Sequence, residues 1–556
     1  MASTSLTSIN HFLTFLSDNL SSAPILIVVS TKSTLVVHRF AYDKRRKFLP
    51  PGPKGYPLIG NLLAFSDADK IPQIVSKWAK EYGPIMYLRM GASDWIYINS
   101  PVVAKELMDK RGSKYSDRAR MPMAFEATSN RNRIIFMPYG DVWRRLRSIS
   151  QAALSITTSA TYKPIQDMES KQVLYELLHA ENDEAFFDIN RRYSTSAIMT
   201  ATYGHRVADW SDPVISRIYK VLEHFSQMAE PGAWLVDAFP VLAKLPSRMV
   251  QDWWRIGRGW FEFDRKVYLD LYLDLVAKVK NGTAPDCFIR DVYERIQQSP
   301  EKHAISDELA AYAAGSLVEA GSESTSTVIN AWVMACQLFP DVARCAQEEL
   351  DRVVGPDRMP NFDDEDKLPY IRAMVKETLR WWPITKPGMP HSVTEDDWYE
   401  GYFIPKGSAV VINWWAIHYD EARWDNAHVY DPSRYLSDPH TTAECVNLAD
   451  ANQRDHYAYG SGRRICTGLH LAQNSLFINM ARTLWAFNIK KAKGPNGEEV
   501  EPVVKSQPGF IHTPVKFKAI LEPRSERHAE IVESEWLTAK EAGVKWSRKK
   551  TFQTAR

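Results

Sequence analysis

One cysteine near the C-terminal end lies in a glycine-rich turn, within Tyr459-Gly460-Ser461-Gly462-Arg463-Arg464-Ile465-Cys466-Thr467-Gly468. No second cysteine lies close by, so a zinc cluster or a CxxC redox pair with its neighbours is excluded. Its thiolate can instead bind a single metal ion held in a large prosthetic group. Gly462 and Gly468 allow backbone conformations and a close approach of a flat ligand that a side chain would block. Arg464 supplies a positive charge for an acidic edge of that ligand.

Composition and charge indicate a large globular protein. The chain has 556 residues, of which 45% are hydrophobic and 24% charged, as is typical of globular domains. No linker-like run divides it. Residues 48–524 are therefore predicted to form one domain, between a leader (1–47) and a charged tail (525–556) that lies outside the core. The net charge of +2 gives no electrostatic support for a nucleic-acid partner.

The cysteines indicate a reducing compartment. They are five in number and widely scattered, which argues against a disulfide framework. Cys336 and Cys345 are predicted to be small buried residues in or near helices.

The leader allows two interpretations. Its apolar runs, Ile25–Val29 and Leu35–Val37, are separated by Ser30–Thr34 and fall short of the roughly 20 apolar residues that a spanning helix needs. The basic run Lys44–Lys47 would hold the following domain on the cytosolic side of a membrane. Residues 1–47 are therefore either a membrane anchor, dipping into or crossing the bilayer, or a disordered leader.

Hydrophobic periodicity predicts a mainly α protein with a small β component. Residues 142–347 are dominantly helical, and Ser306 is predicted to cap a very long helix that reaches about Gln337, interrupted at Ala320–Thr325. Further helices are predicted at 341–353, 370–381 and 469–487, and short strands at 85–88, 95–98, within 387–412 and before about 521.

Three further motifs accompany the cysteine loop. Glu377-Thr378-Leu379-Arg380 lies in a predicted helix, so Glu377 and Arg380 share a face and can pair. Pro432-Ser433-Arg434-Tyr435 offers a second arginine, Arg434, to the same carboxylate. Upstream, Trp143 and Arg147 lie one helical turn apart.

In order and spacing, these motifs resemble the cytochrome P-450 family of haem-thiolate monooxygenases, from about Phe48 to Pro523. The resemblance implies the family's mainly α fold, a helical prism around haem b with small β-sheets. It also implies that Cys466 is the axial thiolate ligand of the haem iron. A thiolate ligand pushes electron density onto iron and favours O–O cleavage.

The resemblance assigns roles to two further groups. The residues that would hold the two haem propionates are Trp143, Arg147, His391 and Arg464. His391 could alternatively be an ordinary surface histidine. The residues that would form a buried ion-pair network behind the haem are Glu377, Arg380 and Arg434.

The long helix carries the residues that would handle protons during catalysis. Gly321 would loosen the helix over the distal haem face, and Glu323 with Ser324 and Thr325 would relay protons to dioxygen. Alternatively, the hydroxyls only bond back to the helix. The family normally has threonine at the position of Ser324, and phenylalanine at the position of Tyr459, whose hydroxyl needs a partner.

By the same resemblance, the pocket walls come from Met121–Ile135, Lys386–Met389 and Gly509–Ile511. Phe125, Met389 and Phe510 would make this pocket largely apolar, as suits a small hydrophobic substrate.

The expected activity is the insertion of one oxygen atom from dioxygen into an apolar small molecule. Residues 395–407 resemble those of filamentous-fungal members that modify secondary metabolites. Electrons would come from NADPH through a separate cytochrome reductase, because the chain has no flavin or nicotinamide motif. The expected location is the endoplasmic reticulum membrane, with the catalytic domain cytosolic.

Two other activities remain open. A haem-thiolate isomerase or dehydratase would need no reductase, but such enzymes often lack the acid and hydroxyl on the distal helix, where this chain has Glu323, Ser324 and Thr325. A haem-based sensor or carrier would show normal haem loading without turnover.

Overall fold

The computed structural model describes residues 43–57, 59–65, 70–230, 232–299, 305–386, 388–507 and 509–543. The apolar runs of the leader, Pro387 and the last residues of the tail lie outside this part of the chain.

Helices make up most of the described structure, as predicted. The eighteen α-helices are α1 (Ile71–Tyr82), α2 (Pro101–Ala104), α3 (Gly112–Tyr115), α4 (Asp141–Ala153), α5 (Ile156–Ala160), α6 (Lys163–Leu178), α7 (Ala185–Tyr203), α8 (Pro213–Ala229), α9 (Leu235–Ala238), α10 (Trp253–Lys280), α11 (Phe288–Gln298), α12 (Asp307–Leu338), α13 (Pro340–Val353), α14 (Pro369–Trp381), α15 (Trp414–His418), α16 (Thr442–Cys445), α17 (Leu469–Ala486) and α18 (Glu526–Ala542). Two π-helices, Lys105–Lys110 and Pro122–Ala127, and eight short 3-10 turns join them. The 3-10 turns are Lys44–Phe48, Leu62–Phe65, Pro240–Lys244, Ser247–Met249, Phe362–Lys367, Pro432–Tyr435, Ala451–Gln453 and Gly462–Arg464.

Three small sheets complete the described fold. The strands are β1 (Ile85–Met90), β2 (Ser93–Ile98), β3 (His391–Ser392), β4 (Asp397–Tyr399), β5 (Tyr402–Ile404), β6 (Ala409–Ile412), β7 (Phe487–Lys493), β8 (Glu499–Val500) and β9 (Ala519–Pro523). The largest sheet has the order β1-β2-β6-β3, in which β2 and β6 are parallel and the other pairs antiparallel. It therefore joins the N-terminal part of the domain to residues some three hundred positions later.

The long helix α12 runs through the middle of the protein. Ser306 caps it by accepting the Leu309 N–H, as predicted. The predicted interruption at residues 320–325 is wrong, because the helix is continuous from Asp307 to Leu338. Gly321 serves close packing instead, since a Cβ at this position would lie 2.6 Å from Cγ1 of Ile198 on α7.

The charged tail contains a helix that packs on the core, contrary to the prediction that it lies outside. In α18, Ile531 and Val532 belong to the largest buried cluster, and Trp536 packs near Tyr175 of α6. The helix forms because Ser525 caps it and an apolar side chain recurs on one face. The described core therefore extends to this helix.

No helix in the described part of the chain combines the length and the apolar character that crossing a bilayer requires.

Candidate haem-binding site

The cysteine loop is held by polar contacts and by glycine conformations. Gly462 has φ +66°, and a Cβ there would collide with the main-chain carbonyl of Met108. Asp109 accepts hydrogen bonds from the Ser461 hydroxyl and from the Gly462 N–H, both at 2.8 Å. At the end of the loop, the Cys466 N–H donates to the Tyr459 carbonyl at 2.9 Å. The loop therefore presents the Cys466 side chain in a fixed position.

The surroundings of the Cys466 thiol act on its pKa in two opposite directions. Cys466 is accessible to solvent, yet burial by the surrounding protein raises the pKa of its thiol. The Gly468 N–H and the charge of Arg147 oppose this rise, because both favour the thiolate. These are the surroundings in which a thiolate can serve as a metal ligand.

Buried cations collect near this thiol. Burial lowers the pKa of Arg464 to about 8, although Arg464 donates to the main-chain carbonyls of Ser116 and Met137 at 2.9 and 2.6 Å. Burial also lowers the pKa of Arg147, which donates to the carbonyl of Ile465. The Nε of Arg147 is buried without a hydrogen-bond partner among the described residues.

Arg118, which no sequence motif marks, also lies at this candidate site, close to Arg464. It donates to the carbonyls of Ile135 and Pro390 at 2.9 and 2.7 Å, and burial lowers its pKa to about 10. Its signal in the sequence is a single arginine in Ser116-Asp117-Arg118, which has no periodicity or motif to mark it. Asp117 is the carboxylate that offsets the charges of Arg118 and Arg464.

His391 is not on the surface, contrary to the alternative considered above. It is buried on β3, and its Nδ1 lies 2.9 Å from the carbonyl of Tyr115. Burial and the charge of Arg118 hold the pKa of His391 well below its usual value. Its imidazole is therefore a neutral neighbour of the buried cations.

Trp143 completes the group of residues predicted to bind the propionates. Its ring is buried, and the guanidinium of Arg464 lies over it at 4.2 Å. Arg118, Arg147 and Arg464, offset by one carboxylate, leave an excess of positive charge that is costly to bury unless an anion neutralises it. The two propionates of haem b would supply that anion. The residues of this site therefore fit haem b.

The predicted ion-pair residues lie together behind the cysteine loop. Glu377 and Arg380 are fully buried and form two hydrogen bonds of 2.7 Å. Arg434 Nε lies 3.5 Å from the same carboxylate. Arg380 also donates to the carbonyl of His418 at 2.8 Å.

His418 links this network to the cysteine loop, since its Nε2 accepts the N–H of Tyr457 at 2.8 Å. Tyr459, two residues on, is the position where the family normally has phenylalanine. Its hydroxyl has the partner it needs, because Gln473 Nε2 donates to it at 3.2 Å.

The predicted proton-relay residues follow one another on α12. Glu323 pairs with Arg191 of α7 at 3.4 Å; burial raises the pKa of Glu323, and Arg191 opposes this rise. The Ser324 hydroxyl donates to the Ala320 carbonyl at 2.7 Å, so it bonds back to the helix as in the alternative interpretation. Thr325 is the next residue on the helix and is half-buried.

The predicted pocket walls meet in one apolar cluster. Phe125, Met389 and Phe510 belong to it together with Trp143 of the cation site and Ala313 of α12. The cluster therefore borders both the cations and the long helix.

A second group of potential metal ligands does not suit a metal ion. Asp438, His440 and Cys445 lie together. Their negative charge is already neutralised by Lys376, whose Nζ lies 2.6 Å from Asp438 and 3.7 Å from the Cys445 sulfur. Burial raises the pKa of the Cys445 thiol to about 12, so it stays protonated.

Known proteins resemble this chain over almost its whole length. The cytochrome P-450 family matches residues 50–521. Cytochrome P-450 monooxygenase verL of Clonostachys rogersoniana is 49% identical over 95% of this chain and 96% of its own. Cytochrome P-450 monooxygenase virE of Hypocrea virens is 37% identical over 92% of each chain, and pgmC of Aspergillus terreus is 37% identical over 90% of this chain and 91% of its own.

The buried cations around an accessible thiol, the apolar pocket beside them and these matches agree with one another. The chain belongs to the cytochrome P-450 family and is a haem-thiolate monooxygenase.

Proposed function

We propose that this monooxygenase oxidises an apolar secondary metabolite, with Cys466 as the haem ligand and electrons delivered from NADPH by a separate reductase. The observation that carries the proposal is the accessible Cys466 thiol beside Arg147, with Arg464 close to both Arg147 and Arg118 and an apolar cluster next to these cations. Bound haem supplies the activation of dioxygen. The relatives' fungal sources support a fungal metabolite as substrate.

The chain's own residues orient the haem and handle protons. Arg118, Arg147 and Arg464 would neutralise its propionates, and the Gly468 N–H would stabilise the thiolate of Cys466. Glu323 would pass protons inward when it separates from Arg191, because burial already favours its protonated form. Ser324 and Thr325 would receive them, which requires the Ser324 hydroxyl to turn away from the Ala320 carbonyl.

Replacement of Cys466 tests the core of the proposal. In the reduced, carbon monoxide-bound protein, Cys466→Ala should abolish the long-wavelength Soret band that is diagnostic of thiolate ligation. Cys445→Ala is the matched control and should retain this band, since the Cys445 sulfur contacts Asp438 and Lys376 instead of the cysteine loop. An unchanged Soret band in Cys466→Ala would refute the assignment.

Reductase and membrane are tested separately. NADPH consumption coupled to substrate loss in the presence of a cytochrome reductase distinguishes a monooxygenase from an isomerase that needs no reductase.

Membrane association is tested by sedimentation. If the protein is held at the endoplasmic reticulum by its leader, the full chain should sediment with microsomes and a chain that begins at Asp43 should not. Equal sedimentation of the two would remove the leader's proposed role as an anchor.

Apolar candidate compounds can be screened by the shift that binding causes in the haem spectrum. A substrate should shift the haem spectrum of the ferric protein, and the shift should saturate as the concentration rises. Phe125→Asn should weaken this binding, because the pocket wall loses apolar surface.

A further inference from the structure

A buried charged cluster lies beside the apolar pocket. Arg133 donates to Asp264 (Nη2–Oδ2 2.7 Å) and to Glu319 (Nη2–Oε1 2.8 Å). His224 Nδ1 lies 2.7 Å from the other oxygen of Asp264, and the Tyr268 hydroxyl donates to Glu319. None of these five residues is more than 6% exposed. We refer to Arg133, His224, Asp264, Tyr268 and Glu319 as the distal clamp.

The distal clamp joins four elements that are distant in the sequence. Arg133 belongs to the loop before α4, His224 to α8, Asp264 and Tyr268 to α10, and Glu319 to α12. A buried ion pair is weak evidence for net stability, because desolvation offsets the attraction between the charges. Its geometry is nevertheless strict, since a carboxylate left without Arg133 would be a buried uncompensated charge. The clamp therefore fixes where the four elements meet.

The same loop contacts the haem-binding cations. The carbonyls of Ile134 and Met137 accept from Arg464 at 3.3 and 2.6 Å, and the carbonyl of Ile135 accepts from Arg118 at 2.9 Å. Residues 133–137 are thus bound to α8, α10 and α12 at one end and to the haem site along their length.

Contacts between aromatic rings connect this loop to the apolar pocket. The ring of Phe136 stacks on Phe225 of α8 at 6.1 Å, and Phe225 meets Phe510 edge-on at 5.5 Å. These rings line the apolar cluster. A shift of α8 relative to the loop would therefore change the pocket directly.

Further contacts connect α8 and α10, which we call the roof helices, to the neighbouring π-helix Pro122–Ala127. Asp237, between α8 and α10, accepts the N–H groups of Met123 and Ala124 at 2.7 and 3.3 Å. Gly257 of α10 packs so closely on Ala127 that a Cβ would lie 2.5 Å from the alanine methyl. Separation of the roof from the loop must therefore break Arg133's bonds as well as these contacts.

We propose that Arg133 is a positioning residue that locks the loop Thr128–Tyr139 to the roof helices, setting the walls of the substrate pocket and limiting how fast bulky ligands enter and leave. The inference rests on the proposed function only in placing substrate and haem in this pocket. Arg133 itself does not contact the reacting atoms.

The test uses the full haem-loaded chain and two haem-binding probes of different size, 4-phenylimidazole and imidazole. In Arg133→Lys, a single ammonium group replaces the guanidinium group that bonds two carboxylates at once. The rate constants for binding and for release of 4-phenylimidazole should therefore each rise by about tenfold. The rate constants for imidazole should change by less than about threefold, because a small probe needs less opening. Arg131→Lys is the matched control: it lies in the same loop, its side chain is 70% exposed, and it should behave as the parent.

Glu319→Gln is a second variant, which keeps the size and the acceptor oxygen but removes one charge. It should accelerate 4-phenylimidazole exchange in the same direction. If either variant retains the thiolate Soret band and exchanges 4-phenylimidazole at the parent's rates, the proposal is wrong. If the clamp only stabilised the fold, both variants would have a lower unfolding temperature than the parent and unchanged exchange rates. A parent protein without thiolate-ligated haem would instead contradict the proposed function.

Discussion

At the level of single residues, the site is dominated by cations that burial makes costly. Burial lowers the pKa of Arg464 to about 8 and that of Arg118 to about 10, since their protein partners are mostly main-chain carbonyls. A carbonyl offers a partial charge, and a carboxylate offers a full one. The propionates would therefore raise the pKa of both guanidinium groups back towards its usual value.

Glu377 differs from these arginines, because its carboxylate is paired with the oppositely charged Arg380. Glu377→Gln would leave Arg380 as an uncompensated buried charge and should lower the free energy of unfolding by about 3–5 kcal/mol. Urea unfolding would measure this loss, and haem content should fall with it. Glu348→Gln, in an exposed pair with Arg344, is the control and should change the free energy of unfolding far less, because solvent screens the pair. Equal losses in the two variants would show that the buried network has no special role.

At the level of elements, Asp237 gives the π-helix Pro122–Ala127 a pH-dependent cap. Burial raises the pKa of Asp237 to about 7, although the N–H groups of Met123 and Ala124 oppose the rise. A carboxyl with a raised pKa stabilises the fold below its unfolded pKa and loses that contribution as the pH rises through the folded pKa.

Asp237→Asn should remove this dependence. Relative to the variant, the parent should lose stability as the pH rises from about 4 to about 7, and show no further relative change above that range. The difference between the two unfolding temperatures, followed across this range, would measure it. A constant difference at all pH values would show that Asp237 does not titrate there.

The helix α18 offers a test of how far the folded domain extends. Ile531, Val532 and Trp536 are at most 7% exposed, and each such side chain contributes about 1.5–3 kcal/mol by burial. A chain that ends at Arg524 should therefore unfold at a markedly lower temperature than the full chain. A chain that ends at Gly543 retains the helix and should match the full chain. If the two truncated chains have the same stability, the helix contributes nothing.

At the level of the whole molecule, the haem is expected to complete the fold. The residues that would surround it come from the segment between α3 and the π-helix Pro122–Ala127, from α4, from β3 and from the cysteine loop, so bound haem would tie these distant segments together. A ligand that binds only the folded state stabilises it by mass action, by about 4 kcal/mol at a thousand times its Kd.

Removal of haem should accordingly lower the unfolding temperature, and added haem b should restore it. Haem whose propionates are esterified should restore less, because it cannot neutralise Arg118, Arg147 and Arg464. Thermal unfolding of the haem-free protein with each compound would measure the difference. Equal stabilisation by both compounds would contradict the proposed role of the three arginines.

Short-range patterns in the chain were sufficient for the family, the mainly α architecture and many of the helix boundaries. The cap at Ser306, the i, i+3 pair Glu377–Arg380 and the glycines around Cys466 are all local, and local geometry follows from backbone conformation and side-chain spacing. The cysteine motif is equally local, because one loop must both turn tightly and present the thiol.

Contacts between distant segments were decided by packing alone. Arg118 joined the site and Arg133 became a clamp because folding brought them to carbonyls and carboxylates as many as 272 positions away. Gly321 packs closely against Ile198 of α7 instead of interrupting the long helix, and no spacing within α12 could predict that neighbour. Local sequence constrains a residue's own backbone, whereas a buried charge takes its role from whichever groups the whole chain places around it.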